Sequence, residues 1–172
     1  MMRISNFAQL LQAAREVGPR TVAIAAAHEP EVLQAAYAAE TEGIANCILV
    51  GDRAAIRSLA EGLSQDLNHM MVIEEPDARR AARKVMELVR LGHAQIAMKG
   101  RIETGDFLRA ALDRENGLRI GRLLSHVGVF EIAGFDRLLL VTDAGVVVAP
   151  DMIQKVEIVQ NAIEVARVLG ID

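Results

Sequence analysis

The chain has 172 residues, 52% hydrophobic and 24% charged, enough for a packed domain of ordinary size and incompatible with a disordered chain. Aromatic residues make up 3% and Trp is absent, so Ala, Val, Leu, Ile and Met must build the core. A formal charge of −4 and a pI near 5.6 leave no overall electrostatic footprint for nucleic acid.

Ser5 can cap a first helix with Phe7, Leu10, Leu11 and Ala14 on one face, stopped by Gly18-Pro19. Thr21–Ala27 is a short apolar run between turn signals and predicts a buried strand. Pro30 stands near the start of a helix carrying Val32, Leu33, Ala36 and Ala39, and Gly43 closes it. Cys47–Val50 predicts a second strand, and Asp52 a cap for a helix through Leu63. Met71–Ile73 predicts a third strand. Asp77 caps a helix with Ala78, Ala81, Ala82, Val85, Met86 and Val89 inward, ended by Gly92. Gln95–Met98 predicts a fourth strand. Apolar strands alternating with amphipathic helices imply a mostly parallel sheet in a three-layer α/β/α fold, joined by right-handed crossovers.

The pattern changes after Gly100. Ser125–Ile132 and Arg137–Thr142 flank Ala-Gly-Phe-Asp and predict an antiparallel hairpin or bent pair. Pro150 opens a long helix with Val156, Val159, Ile163, Ala166 and Leu169 on one stripe, followed by Gly170. A domain change is placed near Arg114–Leu123, dividing the chain into an N-terminal parallel α/β domain over 1–115 and the opening part of a second α/β domain over 116–172.

The single cysteine, Cys47, excludes an intramolecular disulfide and reads as a buried, inert thiol. No run reaches the ~18 apolar residues of a membrane span. Arg15 and Glu16 stand where a signal peptide would stay apolar. The expectation is a cytoplasmic protein without a membrane or nucleic-acid partner.

Three segments can carry chemistry. In the first, Lys99, Gly100 and Arg101 end a strand, Thr104 can cap the following helix, and Arg109 lies in its second turn. Ligands bind beyond the carboxyl ends of strands in open α/β sheets, and free N–H groups at a helix start favour anions. A phosphate or carboxylate site and a plain capped helix with solvated basic neighbours both fit. In the second, Arg119 and Arg122 offer planar forks suited to phosphoryl oxygens. Ser125 and His126 follow, and on a strand they would face opposite ways, making a poor nucleophile–base pair. His126 can donate to a substrate oxygen or serve as a structural histidine. In the third, Asp143 and Gly145 follow an apolar strand; Asp143 can act as acceptor or base, or cap its own turn. Asp151 and Lys155 read as a modest surface pair. Neither a P-loop nor G-x-G-x-x-G after a strand is present, which disfavours nucleotide hydrolysis and an NAD-linked oxidoreductase. One cysteine, scattered histidines and no HExxH speak against a metal site.

Met98-Lys99-Gly100 with Thr104 and FLRAAL, then GLRIGRLLSHV, FDRLLLVTDAG and APDMIQKVEIVQNAIEVA occur in an order and spacing that resemble the phosphate acetyl/butyryltransferase family, its butyryl branch most closely. The resemblance runs from about Ile4 to the end and is looser over Ile4–Val50. It implies an isocitrate/isopropylmalate dehydrogenase-like architecture of two α/β domains with the active site in the cleft between them. It implies reversible transfer of a short acyl group, butyryl or acetyl, between coenzyme A and inorganic phosphate, by direct attack in a ternary complex. Acyl-CoA, inorganic phosphate and acyl phosphate are the implied partners; coenzyme A is a substrate, and no tightly bound cofactor is expected. By the family motif Thr104, Arg109, Ser125 and His126 are implied contributors to substrate binding or catalysis. Lys99, Gly100, Arg122, Asp143 and Gly145 join them as candidates for the substrate side; no general base is assigned.

Members of that family are much longer. The expectation is therefore a truncated chain that lacks efficient turnover by itself, with an open core whose apolar surface favours a homo-oligomer. The competing reading is a non-catalytic fragment or assembly module that keeps an anion-binding site.

Overall fold

The computed structural model describes residues 3–171. In chain order it contains α1 (Phe7–Val17), β1 (Arg20–Ala25), α2 (Pro30–Thr41), β2 (Ala45–Gly51), α3 (Arg53–Gly62), β3 (Met71–Glu74), α4 (Ala78–Arg90), β4 (Ile96–Lys99), α5 (Thr104–Ala111), β5 (Gly128–Phe130), β6 (Leu139–Val141) and α6 (Met152–Val168). The local signals explain most of these bounds. Pro30 occupies the first turn of α2, where its missing N–H costs nothing. Asp52 accepts from the Ala55 N–H, and Asp77 from the Arg80 N–H, as helix caps.

Two caps differ from expectation. Asn6, not Ser5, caps α1 by accepting from the Gln9 N–H at 2.9 Å; Ser5 instead bonds the Gln9 side chain. Thr104 is the first helical residue of α5 and Glu103 holds the cap position without a side-chain cap bond. The turn from Gly100 to Ile102 consumes one residue fewer than the sequence pattern implied, so the cap falls on Glu103 and Thr104 enters the helix.

Val17–Arg119 forms one compact unit. Its four strands are parallel in the order β3-β2-β1-β4, with Ile24 opposite both Leu49 and Met98. Alternation sends successive residues to opposite faces. Ala23, Ala25, Ile48 and Val50 meet Ala81, Ala82, Val85 and Leu88 of α4 on one face, where Phe107 of α5 also packs. Ile24, Cys47 and Leu49 meet Leu33, Ala36 and Ile56 of α2 and α3 on the other. This is the three-layer α/β/α arrangement, with the sheet carrying apolar residues on both sides. Each fully buried side chain of Leu or Ile size contributes about 1.5–3 kcal/mol by leaving water.

Described residues 3–16 group with 120–171 as a second compact unit. Chain order had placed that first helix with the parallel strands. Two bonds tie it here instead: the Phe7 N–H donates to the carboxylate of Glu131, just after β5, at 2.7 Å, and the Ile4 N–H to the Leu169 carbonyl at 2.9 Å. The hairpin is present and antiparallel, pairing Val129 with Leu140, but each strand is three residues long.

Helix α6 begins with a full capping box. Asp151 accepts from the Gln154 N–H while the Gln154 side chain accepts from the Asp151 N–H. The Asp151 carboxylate therefore serves the helix start rather than an ion pair with Lys155. The apolar stripe is buried only in part. Ile158 and Leu169 are buried, whereas Val156, Val159 and Ile163 stay 51%, 53% and 42% exposed. A helix apolar on more than one side offers two stripes, and periodicity alone does not choose between them.

Candidate functional site

In the parallel unit the carboxyl ends of the strands carry a cleft of about 660 Å³. Strand β4 ends at Lys99, and Gly100 is drawn against the end of β1. Its N–H donates to the Ala25 carbonyl at 2.7 Å, and the Arg101 N–H donates to the Ala26 carbonyl at 2.9 Å. Lys99, Gly100 and Arg101 thus reach the cleft, as does the start of α5.

Its charges are mixed. Glu29, Asp77, Glu103 and Asp106 line it together with Arg79, Lys99 and Arg101. Arg79 pairs with Asp106 at 2.9 Å, and Arg101 approaches Glu29 at 3.8 Å. The Lys99 ammonium points to the Ile102 carbonyl at 3.4 Å. Arg109 is exposed and also bonds Asp106, three residues back on α5. Hydrogen bonds from Arg79 and then Arg109 hold the Asp106 carboxyl below the ordinary carboxylate range. An anion entering here must share or replace these carboxylates as partners. Thr104 is exposed at the first turn of α5.

In the other unit, Ser125 and His126 precede β5 and lie on irregular backbone, so the opposite-face argument for strand residues does not apply to them. They form no Ser–His pair. Ser125 Oγ accepts from Asn161 Nδ2 at 2.8 Å, and the His126 carbonyl accepts from the Thr142 hydroxyl at 2.6 Å. The His126 side chain is exposed. Arg122 is held from α6: one of its nitrogens donates to Glu164 at 2.9 Å and another to Asn161 Oδ1 at 2.8 Å. Among the hydrogen bonds of the described residues, three of its five N–H groups are not used.

Asp143 binds its own turn. Its carboxylate accepts from the N–H groups of Gly145 at 3.0 Å, Val146 at 2.9 Å and Val147 at 3.3 Å. Burial pulls its carboxyl upward, but backbone N–H groups, Gly145 and Val146 foremost, outweigh it and leave the group below the ordinary carboxylate range. A carboxylate so held is a weak base, and the Gly145 N–H is already donated to it. The turn-capping reading of Asp143 fits this geometry.

The structure thus gathers Lys99, Gly100 and Thr104 near one cleft and Arg122, Ser125 and His126 on one segment. Sequence reasoning missed Asp106, Arg79, Asn161 and Glu164. Asp106 and Arg109 stand three apart on a helix, a spacing that signals a pair. Asn161 and Glu164 share that spacing, and an amide inside the apolar run of α6 was the available signal. Among the described residues no group of three or more His, Cys, Asp or Glu side chains is placed to hold a metal ion, and no helix is long and apolar enough to cross a membrane.

The family model described as "Phosphate acetyl/butaryl transferase" matches residues 6–87 and 78–172. The phosphate butyryltransferase of Clostridium acetobutylicum is 40% identical over 169 residues, covering 98% of this chain and 56% of that protein. Among solved structures, a branched-chain phosphotransacylase from Enterococcus faecalis V583 aligns with a TM-score of 0.72 at 30% identity, covering 86% of this chain and 51% of that one. A phosphotransacetylase from Streptococcus pyogenes aligns with a TM-score of 0.82 at 18% identity, covering 97% and 60%, and shares the fold. The chain spans about half the length of the curated relatives it matches.

Proposed function

The chain belongs to the phosphate acetyl/butyryl transferase family, and from that premise we propose that it serves reversible transfer of a short acyl group between coenzyme A and inorganic phosphate. In one direction a phosphate oxygen attacks the acyl carbonyl carbon of acyl-CoA, the C–S bond breaks, and the departing thiolate takes a proton. In the other, the thiol of coenzyme A loses its proton, the new C–S bond forms, and phosphate leaves. Direct attack in a ternary complex needs two substrates held together, cations for the phosphoryl charge and donors for the developing oxyanion. Arg122 with its free N–H groups, the Ser125 hydroxyl and the exposed His126 imidazole are suited to the second and third needs. Lys99, Thr104 and Arg109 are suited to hold an anionic part of a substrate at the other unit. Coenzyme A acts as substrate, and a cytoplasmic homo-oligomer is the form in which we place the reaction.

The observation that carries this reading is the 40% identity to a phosphate butyryltransferase over nearly the whole chain, which also favours butyryl over acetyl. The test is phosphate-dependent release of free coenzyme A from butyryl-CoA and acetyl-CoA by the purified chain. Release with both, even if slow, and faster with butyryl-CoA, is the expected result. A folded sample with no release would favour the second reading, a non-catalytic assembly module. One observation speaks for that reading: the exposed stripe of Met152, Val156, Val159 and Ile163 along α6 is a surface suited to burial against another chain.

A further inference from the structure

The Asn161 carboxamide is engaged on every side. Its Nδ2 donates to the Leu123 carbonyl at 3.0 Å and to Ser125 Oγ at 2.8 Å, and its Oδ1 accepts from Arg122 at 2.8 Å. The orientation of the amide is fixed by its partners, because a guanidinium can only donate and a carbonyl can only accept. Glu164, one turn on, takes a second Arg122 nitrogen. Four residues of irregular backbone are thereby clamped to a helix of seventeen residues. The direction of the Ser125 bond has a chemical consequence. A hydroxyl has one proton and two lone pairs, and here a lone pair is used. Among the hydrogen bonds of the described residues, no acceptor takes the Ser125 proton.

We propose that Asn161 is a positioning residue for the proposed acyl transfer: it sets the Arg122–Ser125 segment and turns Ser125 into a hydrogen-bond donor aimed at a phosphoryl oxygen of the substrate, rather than a nucleophile. A nucleophilic serine needs a base that accepts its proton, and Asn161 Nδ2 supplies a donor in that place. An oxygen already accepting a hydrogen bond polarises its own O–H and donates better. The inference rests on the acyl-transfer reading for its reaction, but its binding step can be tested apart from turnover.

The test uses the whole chain and inorganic phosphate. Asn161→Asp keeps the side-chain shape and the acceptor facing Arg122 but removes both N–H donors, so the Ser125 proton turns to the new carboxylate. Titration with phosphate is followed through the backbone amide signals of Arg122, Leu123 and Ser125. These signals are expected to shift in the wild type and to shift at about tenfold higher phosphate, or not at all, in the variant, with the melting midpoint kept within ~2 °C. Where coenzyme A release is measurable, kcat falls in both Asn161→Asp and Ser125→Ala, and the double variant is no slower than Ser125→Ala alone. Absence of any phosphate response at this segment in the wild type overturns the proposal, and so do equal responses in wild type and Asn161→Asp. If Asn161→Asp melts early, Ser125→Ala decides: an unchanged phosphate response overturns the proposal, and a weakened one supports it. A wild type that binds phosphate here yet releases no coenzyme A sinks the acyl-transfer reading of the chain while leaving the clamp intact.

Discussion

Gly100 lies so close to Ala26 that a Cβ added to the glycine would stand 2.5 Å from the Ala26 carbonyl oxygen. The Ala25 carbonyl would be 2.8 Å away. Both obstacles are backbone at the end of β1, where Ala26 already adopts a left-handed conformation with φ of 51°, and neither can rotate aside. Gly100→Ala is therefore expected to cost about 1–3 kcal/mol through forced backbone shifts. Urea unfolding checks this; an unchanged midpoint would mean that the β1 end yields freely. Loss of phosphate response in this variant would report the distorted cleft, not a missing contact.

Arg109 poses a different question, because it is exposed and paired with Asp106, which keeps Arg79 as a second partner. The Asp106 side chain is only 16% exposed, but it keeps Arg79 when the exposed Arg109 is removed, so folding should change little. Arg109→Ala is expected to raise the KM for phosphate or acyl-CoA severalfold with the melting midpoint within ~2 °C. Unchanged kinetics would reduce Arg109 to a surface partner of Asp106. His126→Ala should likewise lower kcat more than stability, since its side chain is exposed; a large melting shift with normal specific activity would assign it a structural role.

Asp143 links the turn after β6 to pH. Its folded pKa lies below the ordinary value of 3.8. The stability it adds is present above that ordinary value and is lost as pH falls through the lower folded value. Melting midpoints measured from pH 5 down to pH 2 should fall less steeply for Asp143→Asn than for wild type, with the variant about 2–4 °C lower at pH 7. Parallel pH curves would show that the three N–H bonds contribute nothing to acid stability.

Cys47 is predicted to be unreactive. Burial, and then the nearby Glu40 carboxylate, push its thiol from 9.0 up to about 11. Its raised folded value favours the protonated form, so the associated stability is complete below pH 9.0 and fades as pH rises through about 11. At pH 8 roughly one thiol in a thousand is ionised. Labelling by a thiol reagent should be at least about a hundredfold slower in the native chain than in denaturant. Fast native labelling would mean that the α2 face of the sheet opens readily.

Much of the parallel unit was legible because its signals are local. Asp52 and Asp77 cap the helices that follow them, Pro30 starts α2, and the runs around Ile24 and Leu49 are apolar on both faces because both faces are covered. The candidate site was less legible. The pattern around Ser125 predicts a strand, yet the segment is irregular and is held by Asn161, thirty-six residues away. Of the apolar stripe on α6, Leu169 is buried while Val156, Val159 and Ile163 stay exposed; all have the spacing of a buried set, and only the packing partner distinguishes them.

The sequence by itself determined most element types, the family motifs and the positions of the candidate cations and hydroxyls. These depend on periodicity, capping and turn chemistry within a few residues. Only the tertiary structure decided how those groups are engaged: that Asp106 takes both Arg79 and Arg109, that Asp143 closes its own turn, and that Asn161 faces Ser125 with a donor. A hydrogen bond between distant residues is set by where two elements pack, and nothing in the spacing of either residue fixes its direction.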